Sequence, residues 1–100
     1  MEIKIHSVRF DADQKLIDFV NAKVGKLPQF FDHIISAEVY LRLDKNEKTE
    51  NKIAEIMLKV PNVKDIFAKR QTKSFEESID QTVEAIRVQL LKHKEKLRGL

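Results

Sequence analysis

The chain contains no cysteine, which excludes disulfides and thiolate chemistry and leaves any metal site to histidine, aspartate and glutamate. It holds no apolar run approaching the ~18 residues that a membrane-crossing helix requires. Its opening, MEIKIHSVRF, lacks the basic stretch and apolar block of a signal peptide, so no membrane partner is expected and the cytoplasm is the expected compartment. There is no glycine-rich phosphate loop, no histidine pair at metal-ligand spacing and no nucleophile motif. His6, His33 and His93 stand apart in sequence, and His93 falls on an apolar helix seam where a packing or rim role suits it. Asp11 with Asp13, and Glu76 with Glu77, sit in expected first helical turns, where carboxylates favour the helix dipole without any catalytic role. An enzyme is not expected, and neither a cofactor nor a metal is required.

With 100 residues the chain is expected to form one domain, residues 1–100. Its net charge of +3 and its 35% charged residues are ordinary, so the placement of charge matters more than the total. Placement is uneven in one stretch above all.

That stretch is Ser74 to Arg98, SFEESIDQTVEAIRVQLLKHKEKLR, which has neither glycine nor proline. Phe75, Ile79, Val83, Ile86, Leu90 and Leu97 recur at helical spacing and predict one long amphipathic helix. Ser74 is the expected N-cap, Glu77 its capping-box partner, and Gly99 the stop. Between Ser74 and Ile86 lie four acids (Glu76, Glu77, Asp80, Glu84) and no base. From Arg87 to Leu100 lie five bases (Arg87, Lys92, Lys94, Lys96, Arg98) against Glu95 alone, so the charge passes from −4 to +4 along one helix. The helix dipole accounts for bases in the last turn, but Arg87 and Lys92 lie too far from the terminal carbonyls to gain much from it. A cationic prong directed at a polyanion accounts for both. At about 100° per residue, Arg87, Lys94 and Arg98 share a stripe beside the apolar seam, and Lys92 with Lys96 falls on the far side.

Upstream, alternation from Glu2 to Phe10 predicts a first strand. Asp11 is the expected N-cap of a helix carrying Leu16, Val20, Val24 and Leu27 and ending before Pro28, with Lys23 and Lys26 in its last turn. Phe30 and Phe31 are expected to cover the end of the core. Ser36 to Leu43 alternates, with Ala37, Val39, Leu41 and Leu43 on one side; Ala54, Ile56, Leu58 and Val60 pair back across the polar DKNEKTE loop; a fourth strand is expected from Val63 to Gln71. The resulting fold class is α+β, in the order β-α-β-β-β-α, a four-stranded mixed sheet with two helices packed on one face. Its other face carries Tyr40, Arg42, Met57, Lys59, Phe67 and Lys69, an ordinary mixed surface or a stacking platform for single-stranded bases. A helix of about 25 residues is roughly 37 Å long, against roughly 26 Å for a strand of about eight, so its last two turns should overhang the sheet.

Several segments resemble the ribosome hibernation-promoting factor family, also called ribosome-associated inhibitor or Protein Y proteins, in its short form. DFVNAKVGKLPQFFDHI (Asp18 to Ile34) is similar to the family's FV-x-A-K-x-x-K-L-x-x-(Y/F)-F-D, QLLKHKEKLR (Gln89 to Arg98) to its QL-x-KHKDKLK, and SFEESID (Ser74 to Asp80) to its DMY-x-AID. The resemblance implies a protein that binds the small ribosomal subunit and its rRNA in the mRNA and tRNA channel. Such a protein competes with mRNA and tRNA, inhibits translation in stationary phase, and in some members promotes ribosome dimers. Off the ribosome it is expected to be a monomer. The family's rRNA-facing bases match Lys23, Lys26, Lys92, Lys94, Lys96 and Arg98, and Arg87 joins them from the helical stripe. The chain departs from the family at Ala85 and Val88, where the family often carries bases, and is expected to lack the long form's C-terminal dimerisation domain. Two other readings stay open: a general double-stranded RNA-binding module, and a self-associating module joined through Tyr40, Met57 and Phe67.

Overall fold

Alternating apolar side chains build a four-stranded sheet, and two helical seams cover one of its faces. The computed structural model describes residues 1–97. In chain order the elements are β1 (Glu2–Ser7), α1 (Gln14–Val24), a 3-10 turn (Leu27–Gln29), β2 (Ser36–Leu43), β3 (Lys52–Lys59), β4 (Ile66–Thr72) and α2 (Phe75–Leu97). The strand order is β1-β2-β3-β4, with β1 parallel to β2 and the other neighbours antiparallel. This is the α+β architecture expected from the sequence. Its core joins Val39, Leu41, Ile56 and Ile66 of the sheet to Val20 and Val24 of α1 and to Ile79, Ile86 and Leu90 of α2.

The element ends differ from the expected ones for local reasons. β1 stops at Ser7 rather than Phe10, because Arg9 turns into the left-handed region at φ 64° and cannot continue a strand. The N-cap of α1 is Asp13, not Asp11: the Asp13 carboxylate accepts from the Leu16 amide at 2.9 Å. β4 begins at Ile66 rather than Val63, since the Val63 amide closes a turn onto the Val60 carbonyl at 3.3 Å. Leu43, expected in the core, is exposed where β2 runs out into the loop. Ile53 is buried on the outer face, in register between Arg42 and Gln71.

At the start of α2, Ser74 caps as expected, accepting from the Glu77 amide at 3.1 Å. The other half of the expected capping box is replaced: the Ser74 amide donates to Thr72 Oγ1 at 3.3 Å. Arg98 and the expected Gly99 stop lie outside the described residues.

The buried face of α2 is also more polar than its apolar spacing implied. Ser78 and Thr82, one turn apart, are fully buried, whereas Phe75 and Val83 are half-buried. The Ser78 hydroxyl donates to the Lys52 carbonyl at 2.6 Å and accepts from the Thr72 amide at 3.1 Å. The Thr82 hydroxyl lies 2.7 Å from the Ser78 carbonyl and 3.2 Å from that of Ala54. Two hydroxyls thus tie α2 to the central strand β3 at fixed points along its length.

Ser78→Ala leaves a buried carbonyl and a buried amide without partners and is expected to lower unfolding free energy by about 2–3 kcal/mol. Thr82→Val keeps the shape and is expected to cost about 1 kcal/mol, while the exposed Gln81→Ala stays within ~0.5 kcal/mol. Urea unfolding of the three variants checks the order.

Candidate nucleic-acid interface

Contacts between the two helical segments climb both in the same direction. Phe10, just before α1, stacks on Phe75 with ring centroids 5.0 Å apart. Lys23 near the end of α1 reaches Asp80 at 3.3 Å, and Phe30 after the 3-10 turn lies under the Arg87 guanidinium at 5.7 Å. Phe31 and His33 then line a cleft with Lys94. The helices are therefore parallel, as expected when both run back against parallel strands.

α1 has 11 residues and α2 has 23. At 1.5 Å per residue α2 is about 35 Å long, and β4, with 7 residues, spans about 23 Å. Gln89 donates to the Phe67 carbonyl at the start of β4, at 2.7 Å, and beyond it α2 passes the sheet's end. The expected overhang is present, and the β3–β4 turn and the segment after the 3-10 turn gather beneath it.

The expected contact residues fall into two groups. Lys92 and Lys96 are exposed on the overhang, and Lys94 is half-buried against the cleft. None of the three makes an ion pair among the described residues, and neither does the exposed Lys26. Lys23 is set apart, because its partner Asp80 precedes Lys92 by twelve positions, about 18 Å along α2. It also lies 5.5 Å from the Phe19 ring. Arg87, between the groups, grips Glu84 through both Nε and Nη2, which holds the Glu84 carboxyl below and the Arg87 guanidinium above their ordinary values. The bases thus form an interrupted stripe along the helical layer, densest where α2 leaves the sheet. His93, on the apolar seam, is half-buried there and fits the expected rim role.

The outer sheet face is organised differently. Tyr40 donates to Glu38 at 2.7 Å and stacks on His6 with centroids 4.7 Å apart. Arg42 pairs with Glu55 at 2.8 Å, and Lys69 approaches the same carboxylate at 3.9 Å. The Tyr40 ring is already stacked on His6, and the exposed Met57 and Phe67 stand opposite each other across β3 and β4, flanked along the strands by Glu55, Lys59 and Lys69. Among the described residues no group of three histidines or carboxylates is placed to hold a metal ion.

The fold and its overhang define a small α+β domain with one strongly cationic end. The profile of the Sigma 54 modulation protein / S30EA ribosomal protein family matches residues 3–98, and the chain belongs to that family. It is 33% identical over 98 residues to the ribosome hibernation promoting factor of Klebsiella oxytoca and 30% identical over 98 residues to that of Escherichia coli K12, covering 98% of each chain. A ribosomal subunit interface protein from Coxiella burnetii superposes with a TM-score of 0.83 at 20% identity, over 95% of this chain and 99% of that one. The N-terminal domain of Thermus thermophilus Protein Y gives 0.79 at 21% identity, over 93% and 99%. At these identities the two structures speak for the fold.

Sequence reasoning placed the lysines but missed the cleft beside them, whose walls come from segments about thirty residues apart. On the outer face, the Glu38 carboxylate raises the Tyr40 phenol above its ordinary value, and the Tyr40 hydrogen bond is the main reason that Glu38 lies below its own. Tyr40 is the chain's one tyrosine, so alkaline phenolate absorbance reads it directly. Its midpoint is expected above that of free tyrosine, and Glu38→Ala should return it toward the free value. The raised Tyr40 value adds stability that is complete below the unfolded pKa of about 10 and lost as pH rises through the folded one. The lowered Glu38 value adds stability above the unfolded pKa of about 4.3, lost as pH falls through the folded one.

Proposed function

We propose that this chain is a ribosome hibernation factor: it associates with the ribosome in the cytoplasm, binds the small subunit in the mRNA and tRNA channel, and inhibits translation in stationary phase. Ribosome hibernation is what the names of its curated relatives share, and the family is one of ribosome-associated factors rather than of enzymes. The observation that carries the finer reading is the overhang of α2, which projects Lys92, Lys94 and Lys96 beyond the sheet without carboxylate partners among the described residues. An unneutralised cationic rod exchanges condensed counterions for phosphates and gains the entropy of their release. In the channel it competes with mRNA and tRNA, the other polyanions bound there. Lys26, Lys23 and Arg87 extend the contact along the helical layer, the last two by trading Asp80 and Glu84 for phosphate oxygens. Exposed ion pairs of this kind are worth about 0–1 kcal/mol, so the exchange costs little. Arg98 completes the contact set, and the protein acts as a monomer off the ribosome.

The seven bases, Lys23, Lys26, Arg87, Lys92, Lys94, Lys96 and Arg98, neutralising about seven phosphates give an expected slope of log affinity against log salt of about −5 to −6. Sedimentation with purified small subunits across a salt series measures it. The triple change Lys92→Glu, Lys94→Glu, Lys96→Glu is expected to lower affinity on the order of a hundredfold or more with the fold intact. Retained co-sedimentation of that variant overturns the reading, and equal affinity of the parent chain for an isolated RNA duplex favours a general duplex binder instead.

A further inference from the structure

Under the α2 overhang lies a cleft of about 470 Å³, within the range of small-ligand sites. Phe31, Val60, Pro61 and Val63 form its apolar walls, and Lys94 stands among its lining residues. We propose that this cleft receives one unpaired base of the RNA strand whose phosphates the overhang lysines hold. The proposal rests on the RNA-binding reading above and adds to it a contact with a base rather than with the backbone.

Three observations carry it. RNA duplex edges are poorly accessible to side chains, whereas splayed bases are taken up by stacking on aromatic rings beside a cationic groove. The cleft offers that combination, because Phe31 lines it and Lys94 belongs at once to it and to the basic end formed with Lys92 and Lys96. The neighbouring Phe30 already carries the Arg87 guanidinium over its ring, which leaves Phe31 as the stacking partner.

The second observation is the polar complement of the lining. Asp32 only accepts hydrogen bonds and repels phosphate, so it suits the amino group of a base and not the backbone. The phosphate then falls to Lys94.

The third is conformational. His33 and Asn62, both lining the cleft, hold φ of 69° and 61°, a region where glycine is the default residue. Asparagine and histidine are among the side chains this region admits most readily, and here they put an amide and an imidazole in the lining of the cleft, beside a base edge.

The test combines two measurements on the full chain. In the first, amide chemical shifts are followed during titration with adenosine 5′-monophosphate, guanosine 5′-monophosphate and ribose 5-phosphate. Millimolar, saturable shifts at Phe31, His33, Asn62 and Val63 with a nucleotide but not with the sugar phosphate support a base site. Equal shifts with all three, or none, overturn it, and micromolar binding of a free nucleotide overturns it in favour of a soluble ligand. In the second, Phe31→Leu, which keeps apolar volume but removes the ring face, and Val63→Trp, which fills the cleft, are compared with the parent for small-subunit affinity. Affinity is expected to fall about tenfold with an unchanged salt slope, since stacking is lost and no phosphate contact is. Unchanged affinity in both variants, with folding verified by their amide spectra, overturns the proposal while leaving the lysine contact standing. If the parent chain itself fails to bind subunits, the functional reading falls and the nucleotide titration alone decides the cleft.

Discussion

The hydroxyls of Ser78 and Thr82 set the roll of α2 against the sheet. A purely apolar seam tolerates sliding and small rotations, because hydrophobic contact is non-directional. Hydrogen bonds to the Lys52 and Ala54 carbonyls of the central strand are directional, and breaking them inside the core leaves polar groups unsatisfied. Fixing the roll at the first turns of a stiff helix fixes it at the last, about 20 Å further on. The orientation of Lys92, Lys94 and Lys96 is thus decided far from the lysines themselves.

The same rigidity explains how a helix can leave its sheet without losing its shape. Leu90 is the last fully buried side chain of α2 among the described residues, and Gln89 ties the helix to the end of β4 at the same level. Past that point Leu91, His93 and Lys94 are only half-buried, against the loops beneath. Burial decreases as positive charge increases, which is the order that electrostatics requires: lysine ammonium groups stay hydrated, and their stems cover the apolar rim.

Much of this was legible in the sequence because the signals are short-range. Period-two alternation located β2 and β3, and the charge reversal within the α2 sequence located its basic end. The readings that shifted depended on choices between near-equivalent neighbours. Asp11 and Asp13 are both acceptable caps, and the chain uses the second, whose carboxylate accepts from the Leu16 amide. The apolar spacing of α2 left Ser78 and Thr82 out of the seam, since hydroxyls become core residues only when carbonyls from another element stand opposite. The cleft had no local signature at all, because it exists only where the segment around Phe31, the turn around Pro61 and the overhang meet.

The two faces of the molecule put their charges to different uses. On the outer sheet face Arg42 and Lys69 share the Glu55 carboxylate across neighbouring strands, Glu38 is held by Tyr40 and His6, and the exposed Met57 and Phe67 face each other across β3 and β4. Along the helices the pairing thins out in one direction. Lys23 has Asp80 and Arg87 has Glu84, but Lys92, Lys94 and Lys96 make no ion pair among the described residues. In the proposed contact a polyanion would meet the unpaired lysines first and reach the paired residues once already held, so that their exchange would be an intramolecular step leaving the released carboxylates in solvent, where an exposed acid costs least.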